Sequence, residues 1–250
     1  MITATKWLAS LPEPKGLLEH VQRYGRQSLE DLEPPTHSDE SWRFTDFNLL
    51  EGLLNRPIYS QTTENKSSLL KTLPEPPKEV LRISLDPLKN PLHQVTLPPG
   101  LEPISPEELK EGLGKTLSRC ACQSDWPVAI NKASASEVLA LRVKGNNLPP
   151  LELVTQAKKD NFTPTRIVLV LEKKAKLKLL QVILGSNQSA QSHLVEIYLK
   201  KDSHLNHGWV ALGGGEASVL ANIAIEQEEQ TNYSLTSVQQ GWAFARIDPR

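Results

Sequence analysis

A strand–turn–strand unit that returns at a fixed spacing between Thr165 and Leu212 constrains this chain more than any other feature of its sequence. Ile167–Leu171 is an unbroken run of five β-branched and aliphatic residues, closed by the charged turn Glu172-Lys173-Lys174. Ala175, Leu177 and Leu179 then alternate with Lys176 and Lys178. That is the period-2 signature of a strand with one dry face and one wet one. The design recurs in Val195, Ile197 and Leu199, the Lys201-Asp202 turn, and Leu205, Trp209 and Ala211. Leu171 answers to Leu199 and Leu177 to Leu205, an offset of 28 residues. A weaker third copy runs through Ile223, Ile225, the polar turn Glu226–Gln230, Tyr233 and Leu235. One such unit cannot bury its apolar face alone, so the pattern reads as a repeat array whose rungs cover one another.

Upstream the periodicity is helical. Leu17, Leu18, Val21, Tyr24, Leu29 and Leu32 recur at three and four residues. Pro34-Pro35 ends that helix, because proline lacks the N–H and restricts its predecessor. Thr36 or Ser38 offers an N-cap, with Glu40 close by. Phe47, Leu49, Leu50, Leu53 and Leu54 suggest a second short helix ending near Asn55-Arg56-Pro57. Residues 1–57 are thus predicted as a helical N-terminal region and 58–78, polar and then proline-rich, as a linker or wrapping loop. Residues 79–250 hold the β core. Val80–Leu85, His93–Leu97, Val138–Val143 and Leu151–Thr155 are extended candidates. Ser105-Pro106-Glu107-Glu108 has the N-cap, first-turn proline and early acids of a helix running to Leu113 or Leu117. A helical turn or two is expected around Ala129–Ser136. The array stops at Arg250 without the polar cap such arrays need, so the chain reads as cut short at its C-terminal end.

Composition excludes several classes. A formal net charge of −1 and a pI near 6.6 give no electrostatic attraction to nucleic acid or an anionic membrane. No run approaches the ~18 apolar residues of a membrane span, and Met1–Gly16 lacks a signal-peptide core. Two cysteines in 250 residues argue against a disulfide framework and fit a reducing compartment, the cytoplasm or the plastid stroma.

Candidate chemistry is sparse. Cys120-Ala121-Cys122 lacks the second pair of a closed zinc site, though on an extended segment both thiols would share a face. His193, His204 and His207 lie close together; if Leu205 and Trp209 point inward, so does His207, while His204 points out and the two cannot chelate from one strand. Gly213-Gly214-Gly215 is not followed by the lysine and hydroxyl of a phosphate loop and reads as a turn. Glu226, Glu228 and Glu229 crowd a turn and read as a solvated face. Trp42-Arg43 could form a cation–π or anchoring pair, and no serine nucleophile elbow is present. The residues describe a scaffold without a visible active site.

Four places resemble the SufB/SufD family of the SUF iron–sulfur cluster assembly machinery, and within it the SufD subunit. Glu40-Ser41-Trp42-Arg43-Phe44-Thr45-Asp46 is similar to the family's N-terminal E-x-W-R-(Y/F)-T-(N/D) signature. Asn131–Val143 with Lys144-Gly145 resembles the segment leading into the first rungs. Pro164–Ala175 resembles P-R-x-(I/L)-(I/V)-x-(I/V/L)-x-(E/G)-x-x-A, and Ala243–Asp248 the strand G-x-x-x-R-x-(D/N). The resemblance implies a right-handed parallel β-helix core behind a small helical region. It also implies a complex with a SufB-like subunit and a SufC-like ATPase, with the iron–sulfur cluster and ATP entering only at the level of that complex. No catalytic, cofactor or metal residue is carried over, since the family places its cluster-related histidine and SufC-docking helices farther toward the C-terminus.

Two other classes compete. A carbohydrate-binding or carbohydrate-active β-helix would need acidic pairs and aromatic platforms on an exposed rung face, yet aromatics are 5% of residues and the acids cluster in turns. A small metal-binding module would use Cys120 and Cys122. Further expectations are that Val168, Val170, Leu177 and Ile197 share one continuous core, and that Trp42 is packed. At the end of the chain, Trp242, Phe244 and Ile247 are expected to form an open apolar edge through which the isolated chain self-associates.

Overall fold

The 28-residue spacing becomes the vertical repeat of a parallel β-solenoid of about four turns, preceded by a small helical region. The computed structural model describes residues 4–58 and 73–250. Three helices come first, α1 (Ala4–Ser10), α2 (Glu19–Asp31) and α3 (Phe47–Leu54). Then follow β1 (Leu81–Leu85), β2 (Leu101–Pro103), α4 (Pro106–Gly112), α5 (Lys115–Arg119) and α6 (Trp126–Ser134). The solenoid proper runs through β3 (Leu139–Val143), β4 (Leu151–Ala157), β5 (Phe162–Leu171) and β6 (Lys176–Gly185). It continues with β7 (Ala190–Leu199), β8 (His204–Leu212), β9 (Ser218–Gln227), β10 (Asn232–Gln240) and β11 (Phe244–Pro249).

From β3 onward successive strands alternate between two sheets, ordered β1-β4-β6-β8-β10 and β11-β9-β7-β5-β3-β2. All the ladders are parallel except β2–β3. Leu171 pairs with Leu199 and Leu177 with Leu205, as the offset requires. The turns repeat with the strands. Lys174, Asp202 and Gln230 all take positive φ (62°, 62° and 58°), as do Asp160 and Gln188 at the opposite corner (60° and 58°). A left-handed non-glycine residue costs roughly 1–2 kcal/mol. Stacked turns offset that cost, because the Lys174 N–H donates to Lys201 O (3.0 Å) and the Asp202 N–H to Glu229 O (3.1 Å).

Inward side chains form ladders through the stack: Ile167, Val195 and Ile223 on one sheet, Leu177 and Leu205 on the other, all buried in one cluster. Leu177 and Ile197 belong to it as expected. Val168 and Val170 do not. They point to the outer face, half-buried against Ile104, Leu109 and Ala140. Both faces of this strand are apolar because α4 and α5 cover its outside, so an unbroken aliphatic run does not say which residues face in.

Other boundaries shift for local reasons. His93–Leu97 is turn and coil rather than a strand: Asn90 closes it through its carbonyl (His93 N–H, 3.0 Å) and its side chain (Leu92 N–H, 2.9 Å). The helix begun at Ser105 breaks at Gly114 (φ 85°) and restarts as α5. Asp46, rather than Thr36 or Ser38, caps α3 by accepting from the Asn48 N–H at 2.9 Å. Residues 59–72, most of the expected linker, lie outside the described residues.

Glycines 185, 213 and 241 stand one repeat apart at the ends of the β6, β8 and β10 strands. A Cβ on Gly213 would lie 2.6 Å from Gly241 O and 2.6 Å from the Trp242 ring. The triple glycine is therefore a close-approach turn, as the sequence suggested, and Trp242 lies across it, donating Nε1–H to Ala211 O (3.0 Å). Ile247 packs against the core, whereas Phe244 joins the N-terminal cluster. The three residues thus do not form one apolar edge. On β10 the inward positions pass from Tyr233 and Leu235 to Ser237 and Gln239, so the apolar lining fades at that rung.

Replacing Leu177 by alanine should cost on the order of 2–5 kcal/mol, read as a lower urea midpoint with an unchanged slope. A midpoint equal to that of the parent chain would contradict the rung assignment.

Candidate functional site

The solenoid interior is not uniformly apolar. Along β6, β7 and β8 several inward positions are polar: Gln181, Gln191, His193 and His207 are all buried, with Trp209 among them. Gln191 Nε2 donates to Leu184 O at 3.0 Å, which turns its Oε1 toward His193 Nε2 at 3.1 Å. His193 therefore carries its proton on Nε2 and leaves Nδ1 as a bare acceptor. His207 Nδ1 lies 2.9 Å from the Tyr233 hydroxyl. Both imidazoles meet Trp209 edge-on, with ring centroids 5.5 and 6.3 Å away. Burial lowers His193 to about 3 and His207 to about 4, so both stay neutral. Burial also pushes the Tyr233 hydroxyl up.

Among the described residues, Gln181 Oε1, His193 Nδ1, His207 Nε2 and Trp209 Nε1 have no hydrogen-bond partner. Neutral imidazoles with free ring nitrogens can hold a small hydrogen-bonding guest; they cannot serve as acids near pH 7. The sequence placed His207 inward and His204 outward, and both lie so. It named His193 without placing it inward, and it missed the two glutamines. Carrying the inward alternation back from Val195 reaches His193 and Gln191, which pair with Thr165 and Thr163, and carrying it on from Leu177 and Leu179 reaches Gln181.

The quoted motifs meet outside the solenoid. Trp42 is buried, edge-on to Trp126 at 6.5 Å, with the Arg246 guanidinium 4.1 Å from its ring centre. Arg246 also donates to Ser41 O at 2.7 Å. The cation on Trp42 is therefore Arg246, while Arg43 lies over Phe44 instead. Asn131 on α6 donates to Thr165 O (3.1 Å) and Ser192 O (3.0 Å), clamping the helix to β5 and β7. Beneath it Arg166 and Glu196 form a buried ion pair at 2.6 Å, and Glu196 also accepts from the Gly114 N–H (2.9 Å) at the start of α5. Lys132 nearby is lowered to about 8 by burial and donates to Gln123 O at 2.8 Å.

Between α4, α5 and the outer face of β5 and β7 lies a cleft of about 390 Å³. Val168, Val170 and Leu109 floor it, and Arg142, Arg119 and Lys200 stand at its rim. Those cations already pair with Glu108 and Glu172, with Glu226, and with Glu172 respectively. The expected solvated acids are tied down in the same way: Glu226 by Arg119, Glu228 by Tyr198 and the Lys201 N–H, Glu229 by Lys201.

Cys120 and Cys122 address different carbonyls, Ile225 O at 3.5 Å and Leu117 O at 3.6 Å. Burial raises both thiols, Cys122 to about 11, so neither is a thiolate at neutral pH. Among the described residues no three histidine, cysteine or carboxylate side chains gather as a metal set. None of their helices is long and apolar enough to cross a membrane.

Residues 153–250 match the family model for the SUF system FeS cluster assembly SufBD core domain. No curated protein matches the chain. The matched residues begin within β4 and run to the end of the chain, covering the regular coils of the solenoid.

Two outcomes follow from the buried groups. Glu196→Gln leaves the Arg166 charge unpaired and should destabilise by about 3–5 kcal/mol, whereas replacing both partners by apolar residues should cost less; an equal or larger loss for the double variant would contradict this. The neutral histidines bind fewer protons in the fold than in the unfolded chain between pH about 6.5 and about 3. Stability should therefore fall as pH drops through that window. A His193→Leu/His207→Leu variant should show a flatter profile between pH 6.5 and 5, where carboxylates contribute little. A slope unchanged by the double replacement would refute it.

Proposed function

We propose that the chain is a scaffold subunit of an iron–sulfur cluster assembly complex, of the SufD type, working beside a SufB-like subunit and a SufC-like ATPase in the cytoplasm or plastid stroma. The observation that carries this reading is the coincidence of the matched core-domain residues with the regular solenoid coils. The N-terminal motif supports it, because Trp42 locks onto Arg246, a residue inside the matched span.

The reading assigns the chain a structural role and no turnover of its own. Its buried polar groups are neutral or paired, the thiols are protonated, and the strong surface charges around the α4–α5 cleft neutralise one another. Cluster and nucleotide belong to the assembled complex. What the chain contributes is a stiff stack of coils that holds partner surfaces at fixed distances, a property parallel ladders supply without chemistry.

Co-expression with SufB-like and SufC-like subunits tests the proposal. A tag on this chain should recover both in a stable complex, and omission of the chain should lower cluster reconstitution by the remainder. Recovery of the tagged chain alone, with reconstitution unaffected, would overturn it.

A further inference from the structure

Residues Glu30 to Glu51 hold seven acids and one arginine, a net −6 with histidine neutral, in a chain whose total is −1. Among the described residues none of those seven acids forms an ion pair. The same stretch forms an apolar cleft of about 580 Å³ between the Pro34-Pro35 turn and α3. Pro34, Pro35, His37 and Phe47 wall it, and Glu33 and Glu51 also line it. Its walls are fixed. His37 stands edge-on to Phe47 with centroids 4.6 Å apart, and its Nδ1 lies 3.2 Å from Arg43 O. The next residue, Phe44, is 94% exposed, the most exposed large apolar side chain among the described residues.

We propose that this cleft is a docking site for an extended segment of a partner protein that carries lysine or arginine around an aliphatic anchor. The chemistry of each part selects that occupant. Proline and aromatic walls accept an apolar side chain from an extended peptide, as proline- and aromatic-lined grooves do generally. Two carboxylates at the cleft and five more in the same stretch of chain favour cationic residues beside the anchor, raise the encounter rate and repel acidic competitors. The same charge repels nucleic acid and anionic lipid. Unpaired acids need no internal ion pair broken before they receive the ligand. Phe44, next in the chain to Arg43 whose carbonyl oxygen meets His37 of the cleft wall, offers further exposed apolar surface to the same ligand. The surface lies apart from the solenoid interior and does not depend on the scaffold reading.

The test uses the whole chain and a synthetic peptide of alternating leucine and lysine, with an all-lysine peptide and a leucine–glutamate peptide as controls. Titration calorimetry and amide chemical shifts give the readout. The leucine–lysine peptide should bind saturably and shift the Phe44, Phe47 and Glu51 amides. Glu33→Lys/Glu51→Lys and, separately, Phe44→Ser should each weaken it by roughly tenfold or more, with thermal midpoints unchanged because these groups lie at the surface. Binding of the all-lysine peptide with equal affinity, or indifference to Phe44→Ser, would reduce the site to general acidity and overturn the proposal. Absence of binding by the leucine–lysine peptide, or preference for the leucine–glutamate peptide, would overturn it as well.

Discussion

The parallel hydrogen-bond ladder between residues 28 apart is the constraint on which the rest of this structure depends. Each strand has two edges, and a rung inside the stack pairs both, so its backbone groups find partners in the coils on either side. Once the ladder is set, every inward residue sits on its counterpart one coil away, and through much of the stack apolar residues cover apolar ones. Leucine on leucine and isoleucine on valine give the dry half of the interior. The corners obey the same rule, with left-handed residues recurring at matching turns and glycines at matching strand ends, where the next coil presses against the backbone.

A stack fixed in this way can tolerate costly groups at its flank. The buried Arg166–Glu196 pair loses hydration that its mutual attraction only partly restores. What it adds is position: Glu196 accepts the Gly114 N–H at the break between α4 and α5, so the pair fixes where the covering helices sit on the sheet. Asn131 does the same for α6 by addressing two neighbouring strands at once. Arg246 on the last described strand reaches back to Trp42 and Ser41, closing the N-terminal region against the far end of the stack. The helical region is thereby bolted along the outer face rather than packed at one end.

The repeat was legible because period 2 and a fixed offset are covalent properties of the chain; Leu171, Leu177, Leu199 and Leu205 fall where the offset puts them. The helix at Phe47–Leu54 was legible from its leucine spacing, though not its Asp46 cap, and the one after Ser105 from its cap and first-turn proline. Val168 and Val170 were misplaced because the strand is apolar on both faces, and alternation carries no information where helices cover the outside. The inward placement of His193 went unread for the opposite reason: a polar residue at an inward position contradicts hydropathy, and register alone reveals it. Arg246 over Trp42 joins residues some two hundred positions apart, beyond the reach of any local pattern. The cleft at Pro34-Pro35 arises from the turn geometry between two helices, whereas its acids were plain in the sequence all along.

Native-state hydrogen exchange across the solenoid tests the central claim most directly. If the 28-residue ladder is the constraint that everything else leans on, amides of β5, β6, β7 and β8 should be the slowest to exchange. They should open together in one cooperative step as denaturant is raised, with β10 and β11 opening at lower free energy because each is paired on one side among the described residues. Separate openings of β5 and β7, with unrelated denaturant dependence, would mean the coils are not coupled through their register, and the account would be wrong at its base.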